Sequence, residues 1–266
     1  MNDFNPQEYW EVRLQKEFGV LGVGHSGLSR QYNRWLYRVR AHVFSRQVKS
    51  LDLDLSTADV LDVGSGTGFY IERWRQLGVL SVTGPDITTV AVQKLKERFP
   101  DSEFVQMDIG DPSAASHQCR YDIISAFDVL FHIVDDDLFE RAIKTIYTLL
   151  NSGGLFIFSD NFLHGPPERA SYQVSRPLDD ITRVLERIGF HIMRRVPMFV
   201  LMSNPIDSHN WLFKLPWRIT KYFIARSEVV GFAVGAALYP LELVLTSLMK
   251  ESPTTEMMIC RKPLSE

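Results

Sequence analysis

Cysteine is scarce in this sequence of 266 residues, and the two cysteines, Cys119 and Cys260, lie far apart. Two thiols at that separation form neither a disulfide framework nor a zinc-ligand motif. We expect both to be buried, reduced thiols. The N-terminus lacks a basic segment followed by an apolar one, so we expect no secretory leader and a cytoplasmic protein.

Charge of either sign is not concentrated anywhere in the sequence. The 29 Lys and Arg residues and 32 Asp and Glu residues leave a formal net charge of −3, and the basic residues are scattered. Because no basic run is present, we predict no nucleic-acid partner. The hydrophobic content of 45% and the aromatic content of 12% are enough for a buried core, so large-scale disorder is not expected.

Only residues 229–248 form an apolar run that is long enough to cross a bilayer. Pro240 and Glu242 interrupt this run, and both are costly in a membrane span. The segment therefore favours packing within a soluble protein, with peripheral membrane contact as the alternative. The sequence leaves both interpretations open.

From Ala58 onwards, the apolar pattern changes repeatedly between strand and helix periods, as in a parallel sheet wound by helices. Leu138, Phe139, Ala142, Ile143, Ile146 and Leu150 form the apolar stripe of one predicted helix, which Gly153–Gly154 is expected to end. A further helix is predicted over 178–188. The predicted strands span 58–63, 80–84, 103–107, 121–126, 155–159, 191–196 and 256–261.

These patterns divide the chain into four parts. Residues 1–50 are expected to form helices before the sheet, and residues 51–196 the α/β core. Residues 197–253 carry aromatic residues, prolines and glycines without a regular period, so we interpret them as a cap or insertion on the substrate side. The aromatic residues favour an apolar acceptor, with a plain core as the alternative. Residues 254–266 are the last core strand and a tail.

The segment VLDVGSGTGFY, residues 60–70, places three glycines at every second position after an apolar strand. Glycines lack the Cβ atoms that would keep a ligand away from a strand-to-helix turn, although a tight turn alone could also use them. A dinucleotide-binding turn needs its third glycine at position 69, which is Phe69 here. Asp62 ends the strand, where an acidic group suits an ammonium better than a pyrophosphate. The three glycines are Gly64, Gly66 and Gly68.

Two further acidic residues follow at the ends of predicted strands. Asp86 lies twenty residues after Gly66, where a carboxylate can accept hydrogen bonds from both hydroxyls of a ribose. Capping of the next helix is the alternative role for Asp86. Asp108 ends the third predicted strand and could face an adenine amino group. The ordered set of strand-end acids indicates a nucleoside site more strongly than any single member.

With these residues, the chain resembles the class I S-adenosylmethionine-dependent methyltransferases over residues 56–161, through VLDVGSGTG, VTGPDI, FVQMDI, YDIISAFDVLFHI and GGLFIFSDN. The resemblance implies a Rossmann-like α/β fold, in which helices cover both faces of a seven-stranded, mostly parallel sheet with a reversed last hairpin. It also implies a helical N-terminal lid, a helical cap beside the substrate, and S-adenosyl-L-methionine as cofactor. The lid residues would include Tyr32, Asn33, Tyr37 and Arg40.

The resemblance assigns the methionine part of the cofactor to the glycine turn, its ribose to Asp86, and its adenine to Asp108 with Ile109. The complete set of cofactor-binding residues that we predict is Asp62, Gly64, Ser65, Gly66, Gly68, Asp86, Ile87, Asp108, Ile109 and Phe127.

Methyl transfer from a sulfonium depends mainly on alignment and on the exclusion of water, so few catalytic side chains are required. A hydroxyl acceptor would gain from a base that removes its proton. His132, a few residues past the fourth predicted strand, is our first candidate for that base, with a packed core histidine as the alternative. Asp128, His164 and His209 are weaker candidates.

Asp160–Asn161 resembles the acid–amide pair of divalent-metal-dependent catechol and caffeoyl-type methyltransferases. Those families place an acid at the end of the fourth strand, where this chain has Phe127, with Asp128 one residue later. We therefore predict no metal site, since an Asp–Asn turn is also an ordinary way to leave a strand; a divalent metal at Asp160–Asn161 is the alternative that the sequence leaves open.

The function that these patterns favour is O-methylation of a hydroxyl on a small hydrophobic, glycosidic or lipid-linked acceptor. The alternative is an S-adenosylmethionine-binding scaffold or membrane-docking protein without turnover. The sequence does not indicate the identity of the acceptor or the oligomeric state.

Overall fold

The computed structural model describes residues 4–116, 119–208 and 211–264, and its chain contacts fall into two units. Unit 1 comprises residues 1–16, 53–194 and 258–266, and unit 2 comprises residues 17–52 and 195–257. All predicted cofactor-binding residues belong to unit 1. The first sixteen residues also belong to this unit, so the unit boundary falls inside the N-terminal segment predicted as one helical part.

Nine α-helices and nine strands lie in the described part of the chain. The helices are α1 (Pro6–Lys16), α2 (Val20–Val23), α3 (Arg30–Lys49), α4 (Phe69–Gln76), α5 (Thr89–Arg98), α6 (Asp136–Leu149), α7 (Leu178–Ile188), α8 (Trp211–Ile224) and α9 (Glu228–Leu248). The strands are β1 (Asp59–Asp62), β2 (Ser81–Asp86), β3 (Glu103–Gln106), β4 (Tyr121–Ala126), β5 (Leu150–Asp160), β6 (Glu168–Arg169), β7 (Val174–Ser175), β8 (His191–Pro197) and β9 (Glu256–Arg261).

Seven strands form one sheet in the order β3-β2-β1-β4-β5-β9-β8, and β6 pairs with β7 separately. The pairs β1–β2, β2–β3, β1–β4 and β4–β5 are all parallel. The predicted α/β fold with a seven-stranded, mostly parallel sheet is therefore confirmed. The chain winds from β1 outwards to β3 and then returns to β4 on the other side of β1. Sheets of this kind bind ligands at such a reversal, outside the carboxyl ends of the strands.

Helix α6 covers the centre of this sheet with an apolar stripe. Asp135 caps the helix by accepting a hydrogen bond from the Leu138 amide at 2.8 Å. The predicted stripe residues Phe139, Ala142, Ile143 and Ile146 are all buried in the main core. The predicted end of the helix at Gly153–Gly154 is wrong, because both glycines lie inside β5. Gly153 has a φ of 80° and donates its amide to the carbonyl of Lys262 at 3.0 Å, which explains a glycine within this strand.

Unit 2 contains α3, α8 and α9, and α9 packs along α3. Its core includes Leu36, Val39 and Val43 on one face of α3. A Cβ atom on Gly235 would lie 2.2 Å from Cδ1 of Trp35, so glycine permits the close approach of the two helices.

The two cysteines differ in burial. Both are free thiols, but Cys119 is exposed and only Cys260 is buried. The expectation of two buried thiols is therefore wrong for Cys119, which lies just before β4, outside the buried part of the strand.

Candidate active site

The glycine turn lies where β1 ends, next to the reversal of the sheet. The amides of Gly64 and Ser65 donate to the carbonyl of Pro85 at 2.9 and 3.2 Å, which ties the turn to β2. The φ angles of Gly64, Gly66 and Gly68 are 68°, 54° and 80°. Side chains other than glycine rarely adopt these left-handed angles, so the backbone of this turn explains all three glycines.

Two of these glycines are also required by packing inside the protein. A Cβ atom on Gly64 would lie 2.4 Å from Cγ2 of Val129, and one on Gly68 would lie 2.7 Å from both Leu95 and Phe99. Their missing side chains therefore make room for neighbouring residues of the protein. Gly66, between them, presents its amide to Asp86.

Asp86 is 6% exposed, and both of its carboxylate oxygens accept hydrogen bonds. Oδ2 accepts from the Gly66 amide at 2.8 Å, and Oδ1 accepts from the amide and hydroxyl of Thr88 at 2.9 and 2.7 Å. Burial raises the pKa of Asp86, while these hydrogen bonds lower it. A carboxylate oxygen accepts about two hydrogen bonds, so Oδ2 keeps room for about one more donor. This arrangement suits one ribose hydroxyl better than the two that the sequence suggested.

Asp62 is 2% exposed at the end of β1. Its Oδ1 accepts a hydrogen bond from the Ser125 hydroxyl at 2.6 Å, and that hydroxyl accepts one from the Trp74 indole at 3.0 Å. Burial raises the pKa of Asp62 to about 7, against the opposing effect of the Ser125 bond, and the charge of Asp86 raises it further. Two buried carboxylates that repel each other favour a cationic ligand group nearby, because opposite charge restores the ionised form of both.

The third strand end is more open. Asp108 is exposed, and its Oδ1 accepts a hydrogen bond from the Gly110 amide at 2.9 Å. It lines a cavity of about 450 Å³ together with Met107 and Ala114. The neighbouring Ile109 is buried, and Ile87, which follows Asp86, is half-buried. Asp111 and three uncharged polar residues also line this open cavity, so its lining is mainly polar. The carboxylate of Asp108 could accept a hydrogen bond there from the exocyclic amino group of a heterocycle.

Strand β4 is followed by a buried ring and a strained residue. Phe127 stacks on Tyr70 of α4, with ring centroids 4.0 Å apart. Asp128 has a φ of 58°, which is unusual for any residue except glycine and is common at functional sites. Its amide donates to the Ser159 hydroxyl at 2.8 Å. The end of β4 is thereby fixed to the end of β5.

His132 lies in a short turn after β4, and its Nδ1 is 2.8 Å from the carbonyl oxygen of Tyr172. A carbonyl can only accept a hydrogen bond, so we assign the proton of the neutral ring to Nδ1. The lone pair of Nε2 is then available as a proton acceptor. Burial lowers the pKa of His132 below its ordinary value, and this effect outweighs the Tyr172 carbonyl and the charge of Asp128, which raise it.

Helix α1 supplies contacts to this region that the sequence did not indicate. The Trp10 ring meets the His132 ring edge-on, with centroids 4.9 Å apart. The Glu11 carboxylate accepts hydrogen bonds from the amides of Thr89 and Val90 at 2.7 and 3.2 Å, at the start of α5. No motif or spacing in the sequence connects these residues with the glycine turn. An acidic side chain at a helix N-terminus is the only general rule that could have suggested Glu11.

The residues predicted for a lid on α3 have partners inside unit 2. The Tyr32 hydroxyl donates to the carbonyl of Met202 at 2.9 Å. The Asn33 amide donates to three backbone carbonyls, of His25, Leu28 and Ser29. These contacts give both residues a structural role within that unit.

Asp160, at the end of β5, is fully buried. Its Oδ1 accepts a hydrogen bond from the Asn161 amide at 2.7 Å, whereas Oδ2 has no hydrogen-bond partner. Burial raises the pKa of Asp160 to about 7; the Asn161 bond and the charge of Arg176 lower it. Across residues 4–116, 119–208 and 211–264, no group of three or more His, Cys, Asp or Glu side chains could hold a metal ion. His164 is exposed, and His209 lies outside the described residues.

Comparison with known sequences identifies a domain over the residues from β1 into β5. Residues 60–154 match a family model described as a methyltransferase domain. The tRNA U34 carboxymethyltransferase of Campylobacter hominis is 29% identical over 118 residues, which are 44% of this chain and 40% of that protein. Nodulation protein S of Azorhizobium caulinodans is 31% identical over 100 residues, which are 38% and 47% of the two chains. The chain thus spans less than half the length of these curated relatives.

The fold is similar to that of solved methyltransferases. The structure of magnesium protoporphyrin IX methyltransferase from Synechocystis PCC 6803 with bound S-adenosylmethionine superposes with a TM-score of 0.58. It covers 98% of this chain and 99% of that one at 16% identity, so this likeness concerns the fold alone. The domain match from β1 into β5 and the seven-stranded sheet identify residues 60–154 as a class I S-adenosylmethionine-dependent methyltransferase domain, with S-adenosylmethionine as its cofactor.

Proposed function

We propose that the chain transfers the methyl group of S-adenosylmethionine to a hydroxyl group of a small, largely apolar acceptor, with His132 as general base. The observation that carries O-methylation is the contact between Nδ1 of His132 and the Tyr172 carbonyl. It leaves Nε2 free to take a proton, and a hydroxyl must lose its proton when it is methylated. A lowered pKa keeps this ring neutral at pH 7, which is the form that a base requires.

The surroundings of His132 support an apolar acceptor. The Phe131 and Trp10 rings lie 4.5 and 4.9 Å from the His132 ring, measured between centroids. Tyr172, whose carbonyl oxygen contacts His132, stacks on Tyr9 with ring centroids 6.2 Å apart. Aromatic side chains of this kind bind hydrophobic groups and leave orientation to a few polar atoms.

The cofactor supplies a methyl group on a sulfonium, and the neutral thioether that remains after transfer is a good leaving group. Asp86 would accept a hydrogen bond from one ribose hydroxyl through Oδ2, and Asp108 one from the adenine amino group, beside Ile109. Asp62 lies in the same buried region as Asp86 and contributes negative charge that favours the cationic donor. The glycine turn allows the backbone to approach the methionine part.

Helix α1 would exclude water from this reaction. Glu11 holds the helix at the start of α5, and Trp10 covers one edge of His132. Exclusion of water strengthens the electrostatic contacts of the bound donor and prevents its hydrolysis. Glu11 also raises the pKa of Asp86 through its charge, so α1 and the carboxylate proposed to bind the ribose are electrostatically linked.

The test is label transfer from methyl-labelled S-adenosylmethionine to paired acceptors that differ only in carrying a hydroxyl or an amine on the same aromatic or alkyl group. We expect label on the hydroxyl members, and a rate about 100-fold or more lower in His132→Gln. Cofactor affinity, measured by calorimetry, should not change in that variant. His191→Gln, at an exposed histidine of β8 in the same unit, is the matched control.

The outcomes separate the alternatives. Label on amines alone, or an unchanged rate in His132→Gln, would contradict O-methylation with His132 as base. Cofactor binding without label on any acceptor would instead support a binding scaffold.

A further inference from the structure

The two units differ in charge, although the basic residues are scattered along the sequence. Unit 2 contains 12 Lys and Arg residues and 7 Asp and Glu residues, whereas unit 1 contains 17 and 25. The formal net charge of −3 for the whole chain therefore conceals a basic unit of +5 and an acidic unit of −8. A basic unit attracts anionic partners.

Helix α8 presents apolar side chains to solvent along one face. Five large residues recur at intervals of three or four and are 46% to 66% exposed. Basic residues lie along the edge of this face, and the helix contains no acidic residue. A helix with Trp and Leu on one side and Lys and Arg beside them is typical of a segment that lies in a membrane interface. The apolar residues are Trp211, Leu215, Ile219, Tyr222 and Phe223, and the basic ones are Lys214, Arg218 and Lys221.

In helix α9, small and polar side chains are buried and large apolar side chains are exposed, which is the reverse of the usual arrangement in a soluble protein. Its buried face carries Gly231, Gly235, Glu242 and Thr246, while large apolar residues face outwards and are 47% to 78% exposed. A soluble helix normally turns its apolar face to the core. A continuous exposed apolar face indicates a contact surface. The exposed residues are Val229, Phe232, Leu241, Val244 and Leu248.

The described residues contain one helix, α9, whose length and apolar character would suffice for crossing a membrane, with a mean hydropathy of 1.8. Its polar face is fixed within unit 2. Glu242 accepts hydrogen bonds from the amides of Val200, Leu201 and Met202 at 2.7, 2.9 and 3.2 Å. A helix that crossed the bilayer would lose these bonds and leave a carboxylate in hydrocarbon. These contacts favour a helix that lies on the membrane.

A basic cavity of about 600 Å³ lies between α3 and α9. Arg38, His42, Arg46 and Lys49 line it from α3, and Tyr239 lines it from α9; none of the described residues around it is acidic. The Arg38 guanidinium stacks on Trp35 at 4.2 Å from the ring centroid, which holds it in place. The Arg46 guanidinium donates hydrogen bonds to the Thr246 carbonyl and the Ser247 hydroxyl. Arg38 and Lys49 remain as cationic groups beside the cavity that could bind a phosphate group.

We propose that unit 2 docks onto an anionic phospholipid bilayer, with the apolar faces of α8 and α9 in the interface and a lipid phosphate in the cavity beside α3. Two independent features support this partner. The apolar faces supply contact with acyl chains, and the basic residues of α8 and α3 supply attraction to anionic head groups. A protein partner would account for the apolar faces, but it would not require the acid-free cavity beside them.

The test is co-sedimentation of the full chain with vesicles of phosphatidylcholine alone and of an equimolar mixture with phosphatidylglycerol. We expect the mixture to bind at least tenfold better, and added salt to weaken this binding. Leu215→Glu with Ile219→Glu should reduce it at least tenfold. The control, Leu80→Glu with Val12→Glu, adds the same charges at exposed positions of unit 1 and should bind like the unaltered chain. Circular dichroism establishes that each variant is folded.

The cavity is tested separately with Arg38→Gln and Lys49→Gln together. This pair should lower binding to the mixed vesicles and leave binding to phosphatidylcholine unchanged, whereas Lys96→Gln, an exposed lysine of unit 1, should change neither. Equal binding by the α8 variant, or no binding by the unaltered chain, would overturn the proposal. Resistance of the bound chain to extraction by alkaline carbonate would also overturn it, because that result indicates a helix that spans the bilayer. So would a dimer of the chain that the α8 variant abolishes. Displacement of the chain from the vesicles by transfer RNA of the same total phosphate charge would overturn it as well.

Discussion

The amide of Gly66 donates a hydrogen bond to Oδ2 of Asp86 at 2.8 Å, and this bond joins the glycine turn to the end of the neighbouring strand. Two residues that the sequence separates by twenty positions are therefore in direct contact in the proposed cofactor site. The carboxylate of Asp86 fixes the turn in the absence of any ligand. Several consequences of this arrangement can be measured.

Asp86→Ala should weaken the binding of S-adenosylmethionine. It removes one ribose contact and also leaves the Gly66 and Thr88 amides without their acceptor, which costs about 1–3 kcal/mol. Calorimetry with the purified chain measures the loss of affinity, and urea unfolding measures the accompanying loss of stability. Asp101→Ala, an exposed acid in the next loop, is the control. Full affinity in Asp86→Ala would exclude the ribose role.

Gly64→Ala should reduce the free energy of unfolding by about 2 kcal/mol or more, because it combines a left-handed backbone with a clash against Val129. Gly78→Ala provides a matched comparison. Gly78 has a similar φ of 81°, but nothing lies within 4 Å of its added Cβ, so only the backbone cost of about 1 kcal/mol applies. Equal losses in the two variants would show that packing at Val129 contributes nothing.

Asp160 should make the protein less stable as the pH rises. The folded chain holds the Asp160 proton up to about pH 7, whereas an unfolded chain releases it near its ordinary pKa of 3.8. Between these values the folded state binds more protons, so the free energy of unfolding falls by up to about 1.4 kcal/mol per pH unit from this group. Asp160→Asn should therefore be more stable than the unaltered chain at pH 8 and similar at pH 4. Urea titrations at both pH values check this, and a constant difference would contradict it.

Trp10→Ala should shift the acid limb of the pH–rate profile to higher pH. Burial is the main reason that the pKa of His132 lies below its ordinary value, and Trp10 supplies part of that burial. Removal of the indole admits water and moves the pKa back upwards, so more of the ring is protonated at a given acidic pH. Val12→Ala, on the exposed side of α1, should leave the profile unchanged. An unchanged acid limb would show that Trp10 does not affect the pKa of the catalytic base.

Much of the fold could be predicted because local chemistry determines it. Strands β4 and β9 begin and end at the predicted residues, since short apolar runs between polar loops are typical of buried strands. Thr88 and Asp135 cap helices, in line with the general preference for Thr and Asp at helix N-termini. The sequence analysis did not predict α8 and α9 as separate helices within residues 197–253, because rules that place apolar faces inside a protein fail for helices that expose them.

The candidate site was only partly predictable for a different reason. Strand-end acids can be located from spacing alone, because parallel strands end at one edge of a sheet. The contacts of Trp10 and Glu11 depend on how α1 returns to this edge, over about eighty residues of chain to Thr89. The role of Gly64 depends likewise on Val129, which is distant in sequence. Such contacts follow from tertiary structure and leave no local signal.

The chain passes between the two units four times, and two of these passages fall inside β8 and β9. Neither unit is a continuous stretch of polypeptide, so no single truncation removes one and spares the other. Cutting the chain ahead of α9 would also delete β9, and so would disturb both the seven-stranded sheet and the proposed membrane-binding surface. A gene that encodes one unit alone would have to join the separate segments of that unit by new peptide linkages. Evolution could exchange one unit only by inserting or replacing internal segments of the chain.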